Sequence, residues 1–227
     1  MDIKQQAGAI VNNLKSYYDE NRKKVNYISI GVIGITALIV GWNYYYLPKQ
    51  EAEAAEKFKK IHNFFAKDSF DIVLKGDKKR KITSAVEIAD KYSFTKKGNE
   101  AALVAGLAYL NKGDFDNALD YLNKVDAKDR GLNPAIIAAK ATCYSEKGDY
   151  KKAAGLFERA AKESDNDLSA GYYVRAAQHY EKADKLSDAL SCYETIAKKY
   201  STAEDGRYLQ TAELNIYRLK GLIGDLN

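Results

Sequence analysis

Asn111-Lys-Gly-Asp-Phe-Asp-Asn-Ala118 returns as Glu146-Lys-Gly-Asp-Tyr-Lys-Lys-Ala153, and in degraded form as Glu181-Lys-Ala-Asp-Lys-Leu-Ser-Asp-Ala189. The alanines that close the motif, Ala118, Ala153 and Ala189, lie 35 and 36 residues apart. Tyr109, Tyr144 and Tyr180 keep these spacings, as do Leu122, Phe157 and Tyr193, and the small residues Gly106, Ala141 and Ala177. Four series in one register define a repeated structural unit. The residue types suggest two helices packed closely within each unit. Small residues let the first helix approach the second, and one large residue fills the space towards the next unit. Asp114 and Asp149 follow Gly113 and Gly148, the order in which a glycine ends one helix and an aspartate caps the next.

Working outward, first helices are expected near 99–112, 134–147 and 169–182, and second helices near 115–125, 150–163 and 187–199. Asn133-Pro134 reads as a helix start, with Asn as cap and Pro in the first turn. A last helix near 204–220 carries Ala212 in the small-residue register. It has Asn215 where the tyrosine series would continue, which suits a terminal capping helix with one wet face. Upstream, Ser84-Ala85-Val86-Glu87 is a capping box opening a helix to about Tyr92. Residues 49–66 are expected to be helical too. Together they make an irregular first pair, split by an insertion over Lys67–Ile82. At its signature positions, over residues 99–221, the sequence resembles the tetratricopeptide-repeat (TPR) family, whose unit is about 34 residues long. The fold class expected is all-α: a single N-terminal transmembrane helix, then a TPR-type α-solenoid of about three to four helix pairs.

The transmembrane expectation rests on Val25–Pro48, which contains no charged residue; Tyr27–Leu47 reads YISIGVIGITALIVGWNYYYL. As a helix that stretch spans about 32 Å, enough for a hydrocarbon core of about 30 Å. Ile28, Val32, Ile35, Leu38 and Trp42 are its expected membrane-anchor residues. Trp42, Tyr44, Tyr45 and Tyr46 gather at one end as an aromatic belt does. The run is too long for a cleaved signal peptide, and bulky aromatics stand where small cleavage-site residues belong. Arg22, Lys23 and Lys24 abut the other end and favour a cytoplasmic N-terminus. Before them Ile3, Ala7, Ile10, Leu14 and Tyr17 share one helical face. That face suits a helix lying on the membrane or on a partner, or a helical lead-in to the anchor. The expected organisation is therefore a cytoplasmic amphipathic segment (1–24), a signal anchor (25–48), a linking helix with the irregular pair (49–98), and the TPR array with its capping helix (99–227).

Little in the chain points to chemistry. The formal net charge is +5, and the basic run Lys78–Lys81 has no interleaved aromatics, so it reads as a solvated loop and not a nucleic-acid site. Cys143 and Cys192, the only two cysteines, are neither a disulfide framework nor a metal-ligand pattern. They read as small semi-buried helix residues. The only histidines, His62 and His179, stand in no ligand or general-base pattern, and His179 beside Tyr180 reads as structural. No P-loop, dinucleotide fingerprint, nucleophile elbow or zinc spacing occurs. No enzyme activity, cofactor, metal or small-molecule substrate is expected.

A protein-binding groove is what the TPR resemblance implies. The family's inward positions fall on Leu103, Leu107 and Leu110, on Ala135, Ala138, Thr142 and Ser145, and on Val174, Gln178 and Glu181. Such a groove is apolar at one end, polar at the other, and lacks the Lys/Arg clamp with which some cytosolic TPRs hold carboxylates. Leu103 and Leu107 could equally pack against a neighbouring helix.

Further local stretches narrow the resemblance. Asp68-Ser69-Phe70, Lys75-Gly76-Asp77, Lys91-Tyr92-Ser93, Lys96-Lys97-Gly98-Asn99-Glu100-Ala101, Glu204-Asp205-Gly206-Arg207 and Arg22-Lys23-Lys24 resemble the YfgM-like TPR proteins of Bacteroidota. The basic Lys78–Lys81 run departs from that pattern. The resemblance implies a single-pass inner-membrane protein with a periplasmic TPR domain, ancillary to the SecYEG translocon. Its partners would be SecYEG, a PpiD-like chaperone, translocating polypeptides and the lipid bilayer. Two other functions fit a tethered TPR domain: a scaffold of another envelope machine, such as a secretion or gliding apparatus, and a regulator-sequestering adaptor.

Overall fold

The computed structural model describes residues 3–126, 132–164, 168–200 and 207–224. Among these, regular structure is helical throughout, with no strand and one isolated antiparallel bridge, Asp77 to Ile82. The chain divides into two compact units, Met1–Ala52 and Glu53–Asn227.

In the first unit, helix α1 runs Ile3–Gly41, with one non-helical residue, Asn21 (φ −112°, ψ 18°). A π-helical turn, Trp42–Tyr46, follows, and α2 begins at Leu47 and ends at Phe65. The π turn ends two residues before Pro48, which has no N–H and whose ring crowds the carbonyl four residues back, that of Tyr44 within the turn; a wider turn relieves that clash. Ile28, Val32, Ile35, Leu38 and Trp42 are all exposed. The N-terminal helix is long and apolar enough to cross a membrane, and its most apolar stretch is wholly unburied.

In the second unit, α2 is followed by α3 (Phe70–Lys75), α4 (Ala85–Lys91), α5 (Lys96–Asn111) and α6 (Phe115–Lys124). Then come α7 (Asn133–Glu146), α8 (Tyr150–Glu163), α9 (Leu168–Lys182), α10 (Leu186–Lys199) and α11 (Arg207–Ile223). From α4 onwards, consecutive helices pack on each other, giving the pairs α5/α6, α7/α8 and α9/α10 with α11 against α10. The repeat series occupy the positions their chemistry requires. Ala118, Ala153, Ala189, Ala141 and Ala177 are fully buried, and Leu122, Phe157 and Tyr193 are buried between helices. A Cβ on Gly106 would stand 2.8 Å from Cγ of Leu122, so glycine there allows α5 and α6 their close approach. Cys143 and Cys192 are both buried and unpaired; burial pushes their thiols up to about 11 and about 12.

The turns within the pairs share one design. The carbonyls of Tyr109 and Tyr144 accept from the backbone N–H of Asp114 and Asp149, at 3.0 and 2.9 Å. Gly113 and Gly148 carry the positive φ, and the two aspartates cap α6 and α8. The third turn corrects the expected register by one residue. Tyr180 accepts from Lys185, Asp184 takes the positive φ (55°), and Lys185 stands at the N-cap with no side-chain cap bond. The true third copy therefore begins at Lys182. Restoring the cap with Lys185→Asp is expected to stabilise the chain by about 1 kcal/mol, measured by denaturant unfolding of the detergent-solubilised protein. A loss of stability would show that the cap is not what this turn lacks.

Other expectations need adjustment. Ser84 does cap α4, accepting from Glu87 N–H at 3.1 Å. The Lys67–Ile82 insertion, however, contains α3, whose Val73 is fully buried. The exposed Lys78–Lys81 turn is closed by the paired backbones of Asp77 and Ile82. Asn133 is not a cap: the N-cap is Leu132, and the Asn133 amide hydrogen-bonds Glu163 instead. The outer side of α11 is not simply wet. Leu214 and Tyr217 stand 72% and 75% exposed beside polar Glu213 and Arg218. Of the Glu204–Arg207 stretch, Glu204, Asp205 and Gly206 lie outside the described residues.

Candidate protein-binding groove

Helices α7 and α9 lie across a recess of about 560 Å³, which α11 closes at one end through Tyr208. Small residues on α7 open it: Ala135, Ala138, Ala139 and Thr142 present little bulk towards α9. On α9 the wall consists of Leu168, Gly171, Tyr172, Val174, Arg175 and Gln178. Gly171 lets Tyr208 approach, since a Cβ there would stand 3.1 Å from its hydroxyl. Thr142 turns its own hydroxyl back to the Ala138 carbonyl at 3.0 Å, so the floor offers methyl groups more than donors. Arg175 and Gln178 are exposed at the rim, and the Arg175 guanidinium carbon lies 5.8 Å from the centre of the Phe157 ring. Such a surface can take an apolar side chain and hydrogen-bond a flanking backbone.

Of the ten positions expected to line a groove, the structure brings Ala135, Ala138, Thr142, Val174 and Gln178 to this one recess. The others sit elsewhere. Leu107 and Leu110 are half-buried against Leu119, Leu122 and Ile136. The Ser145 hydroxyl is 2.8 Å from Nε2 of His179, whose Nδ1 is 2.7 Å from the Arg175 carbonyl oxygen. Glu181 accepts from Arg218 of α11 at 2.5 Å and from Tyr193 at 3.4 Å. These two polar side chains tie neighbouring helices together, and His179, with its ring 5.0 Å from that of Phe157, belongs to the same framework.

Leu103 borders a different recess, of about 450 Å³, between α2 and α5. Phe58 and Val104 are buried at its floor, and Lys59, His62, Asn63, Lys97 and Glu100 ring it. Lys97 is paired with Glu100 at 2.6 Å and lies 5.6 Å from the centre of the Phe58 ring. The available signal for this surface was the spacing Ala54, Phe58, Ile61, an apolar stripe on what reads as a linking helix. It is a second apolar cleft with charged edges.

Between α8 and α9, the Tyr180 hydroxyl donates to Glu158 at 2.8 Å, and Lys162 donates to the same carboxylate at 2.6 Å. Burial pushes the Glu158 carboxyl up, but the two hydrogen bonds and the Lys162 charge outweigh it and hold the group below the usual range. Glu158 therefore stays an acceptor that fixes α8 to α9. Among the described residues, no group of three or more His, Cys, Asp or Glu could hold a metal ion.

Comparison with known families agrees with this architecture. Residues 15–140 match the family described as tetratricopeptide repeat-like domain, and residues 109–177 match that described as tetratricopeptide repeat. The first match covers more than half of the chain, from within α1 to within α7. The chain belongs to the tetratricopeptide-repeat family, whose repeats serve protein–protein interaction.

Proposed function

We propose that this chain is an ancillary subunit of the Sec protein translocon, of the YfgM-like kind found in Bacteroidota. In this reading residues 25–48 anchor it in the bacterial inner membrane as a single pass, with residues 1–24 cytoplasmic and the repeats periplasmic. Residues 49–98 link the anchor to the array over 99–227. The anchor, through Ile28, Val32, Ile35, Leu38 and Trp42, meets SecYEG. The α7/α9 recess takes an apolar anchor residue from a PpiD-like chaperone or a translocating polypeptide. No reaction is catalysed.

The observation that carries this reading is the extent of the family match. It starts at residue 15 and runs through the apolar helix into the repeats, so the helix and the interaction module recur as one unit. The exposure of the whole apolar segment supports a lipid or protein environment around it. The cations Arg22, Lys23 and Lys24 beside it support the stated orientation.

The test is in-cell crosslinking from a photoreactive residue at Val32 or Leu38, with mass spectrometry of the partners. Capture of SecY or its neighbours is expected. Capture of secretion, gliding or signalling components alone, with labelling efficient and Sec absent, overturns the Sec assignment. For the recess, a photoreactive residue at Gln178 is expected to capture a soluble partner. Ala135→Arg, an exposed position at the recess edge, is expected to cut that yield about tenfold, equivalent to roughly 1.4 kcal/mol. Unchanged capture in a normally folded Ala135→Arg variant would remove this recess from the reading.

A further inference from the structure

Between the extreme N-terminus and the apolar segment, α1 carries a second apolar surface that stands exposed among the described residues. Ile10, Leu14 and Tyr17 recur at spacings of four and three, with Val11 and Tyr18 flanking them, and all five are exposed. Asn12, Ser16 and Asp19 fall on the opposite side. The Ile3 and Ala7 side chains, expected on the same stripe, lie outside the described residues. The helix breaks at Asn21, three residues after the stripe ends, and the Asn21 amide donates to the Tyr17 carbonyl at 3.1 Å. The Tyr18 hydroxyl bridges the break to Asn26 at 3.2 Å.

We infer that residues 8–20 form an interfacial helix, lying along the bilayer surface with Ile10, Leu14 and Tyr17 sunk among the lipid headgroups, and that Asn21 is the bend joining it to the membrane-crossing helix. The inference rests on the membrane anchoring proposed above. Four observations favour lipid over a protein occupant. Tyr17 lies only ten residues before Tyr27, about 15 Å along a helix, so the stripe is tethered at the headgroup layer whatever else it meets. An interfacial helix and a crossing helix need different axes, and the one non-helical residue of α1 stands between them. The cations that follow the bend, Arg22, Lys23 and Lys24, sit at the depth where anionic headgroups attract them. A stripe about a third of the helix circumference wide, with a polar remainder, is the pattern of a surface-lying helix and not of a spanning one.

The experiment uses the full-length chain in vesicles of phosphatidylcholine and phosphatidylglycerol. A fluorescent label is placed in turn at Leu14→Cys, Ser16→Cys and Val32→Cys, Cys143 and Cys192 being buried. Iodide on both sides quenches labels in water, and lipids carrying a shallow or a deep nitroxide quench labels at those depths. The expected result is shallow-lipid quenching at 14, iodide quenching at 16 and deep-lipid quenching at 32. Leu14→Asp is expected to return a label at Ile10 to iodide. Iodide quenching at 14 equal to that at 16, with 32 still deep in lipid, overturns the interfacial helix and leaves the anchor standing. Shielding of 14 from both quenchers that disappears when the protein is diluted in lipid overturns it in favour of a second copy. Iodide quenching at 32 overturns the anchor itself.

Discussion

Phe157→Ala is expected to lower the stability of the repeat unit by about 3–5 kcal/mol, the range for truncating a buried aromatic. Phe157 is 2% exposed and stands on α8 among Ile137, Ala138 and Ala141 of α7 and Ala176 and Ala177 of α9. Most of these neighbours are alanines on helices whose backbones are already close, so they cannot collapse into the space the ring leaves. The ring also has the His179 imidazole 5.0 Å and the Arg175 guanidinium carbon 5.8 Å from its centre. Its loss therefore loosens the Ser145–His179 link between α7 and α9 as well. For a unit of this size the melting temperature should fall by roughly 6–20 °C. Because each repeat touches only its neighbours, adding Leu122→Ala should disturb a mostly separate contact set, and the two losses should be close to additive. Thermal unfolding of the full chain in detergent, followed by circular dichroism, reads both. A loss below 1 kcal/mol would mean that Phe157 does not hold α8 between its neighbours.

That prediction was legible in the sequence because the same task recurs. Leu122, Phe157 and Tyr193 hold one register, and so do Gly106, Ala141 and Ala177, since a solenoid poses the same packing problem in every unit. The apolar helix was legible from composition alone. What stayed hidden depends on residues far apart in the chain. Helix α3 is six residues long, too short to show a period, and it forms because Val73 has a core to enter. Ser145 and Glu181 carry the polarity of a groove, but His179 and Arg218, 34 and 37 residues away, engage them first. The α2/α5 recess requires knowing that a helix read as a linker packs its Phe58 stripe on the first repeat. The third turn misled by one residue because Asp184 occupies the left-handed position that Gly113 and Gly148 mark in the other units.

Gly98→Ala is expected to destabilise the chain by roughly 3 kcal/mol or more, an effect that its place in the first turn of α5 does not advertise. A Cβ at residue 98 would stand 1.9 Å from the Tyr92 carbonyl oxygen and 2.4 Å from its carbon, so the obstacle is backbone and not a side chain that can rotate away. The same carbonyl is held in place by Thr95, which donates to it from its N–H at 2.9 Å and from its hydroxyl at 2.8 Å. Thr95 in turn caps α5 by accepting from Gly98 N–H at 2.9 Å. Making room for one methyl group must open this turn. Tyr92 then shifts, although its ring is fully buried and its hydroxyl joins Glu53 and Lys57 of α2 at 3.1 and 3.0 Å. The damage should therefore be local: amides of α2, α4 and early α5 should lose hydrogen-exchange protection while those of α8 and α9 keep theirs. Gly155→Ala is the control of opposite sign. That residue is exposed within α8 and nothing lies closer to its Cβ position than the Tyr180 hydroxyl at 4.0 Å, so alanine should add about 0.5–1 kcal/mol through helix propensity. If Gly98→Ala proves as benign as Gly155→Ala, then the α4–α5 turn does not hold α2 against the first repeat, and the cleft between α2 and α5 has no fixed wall.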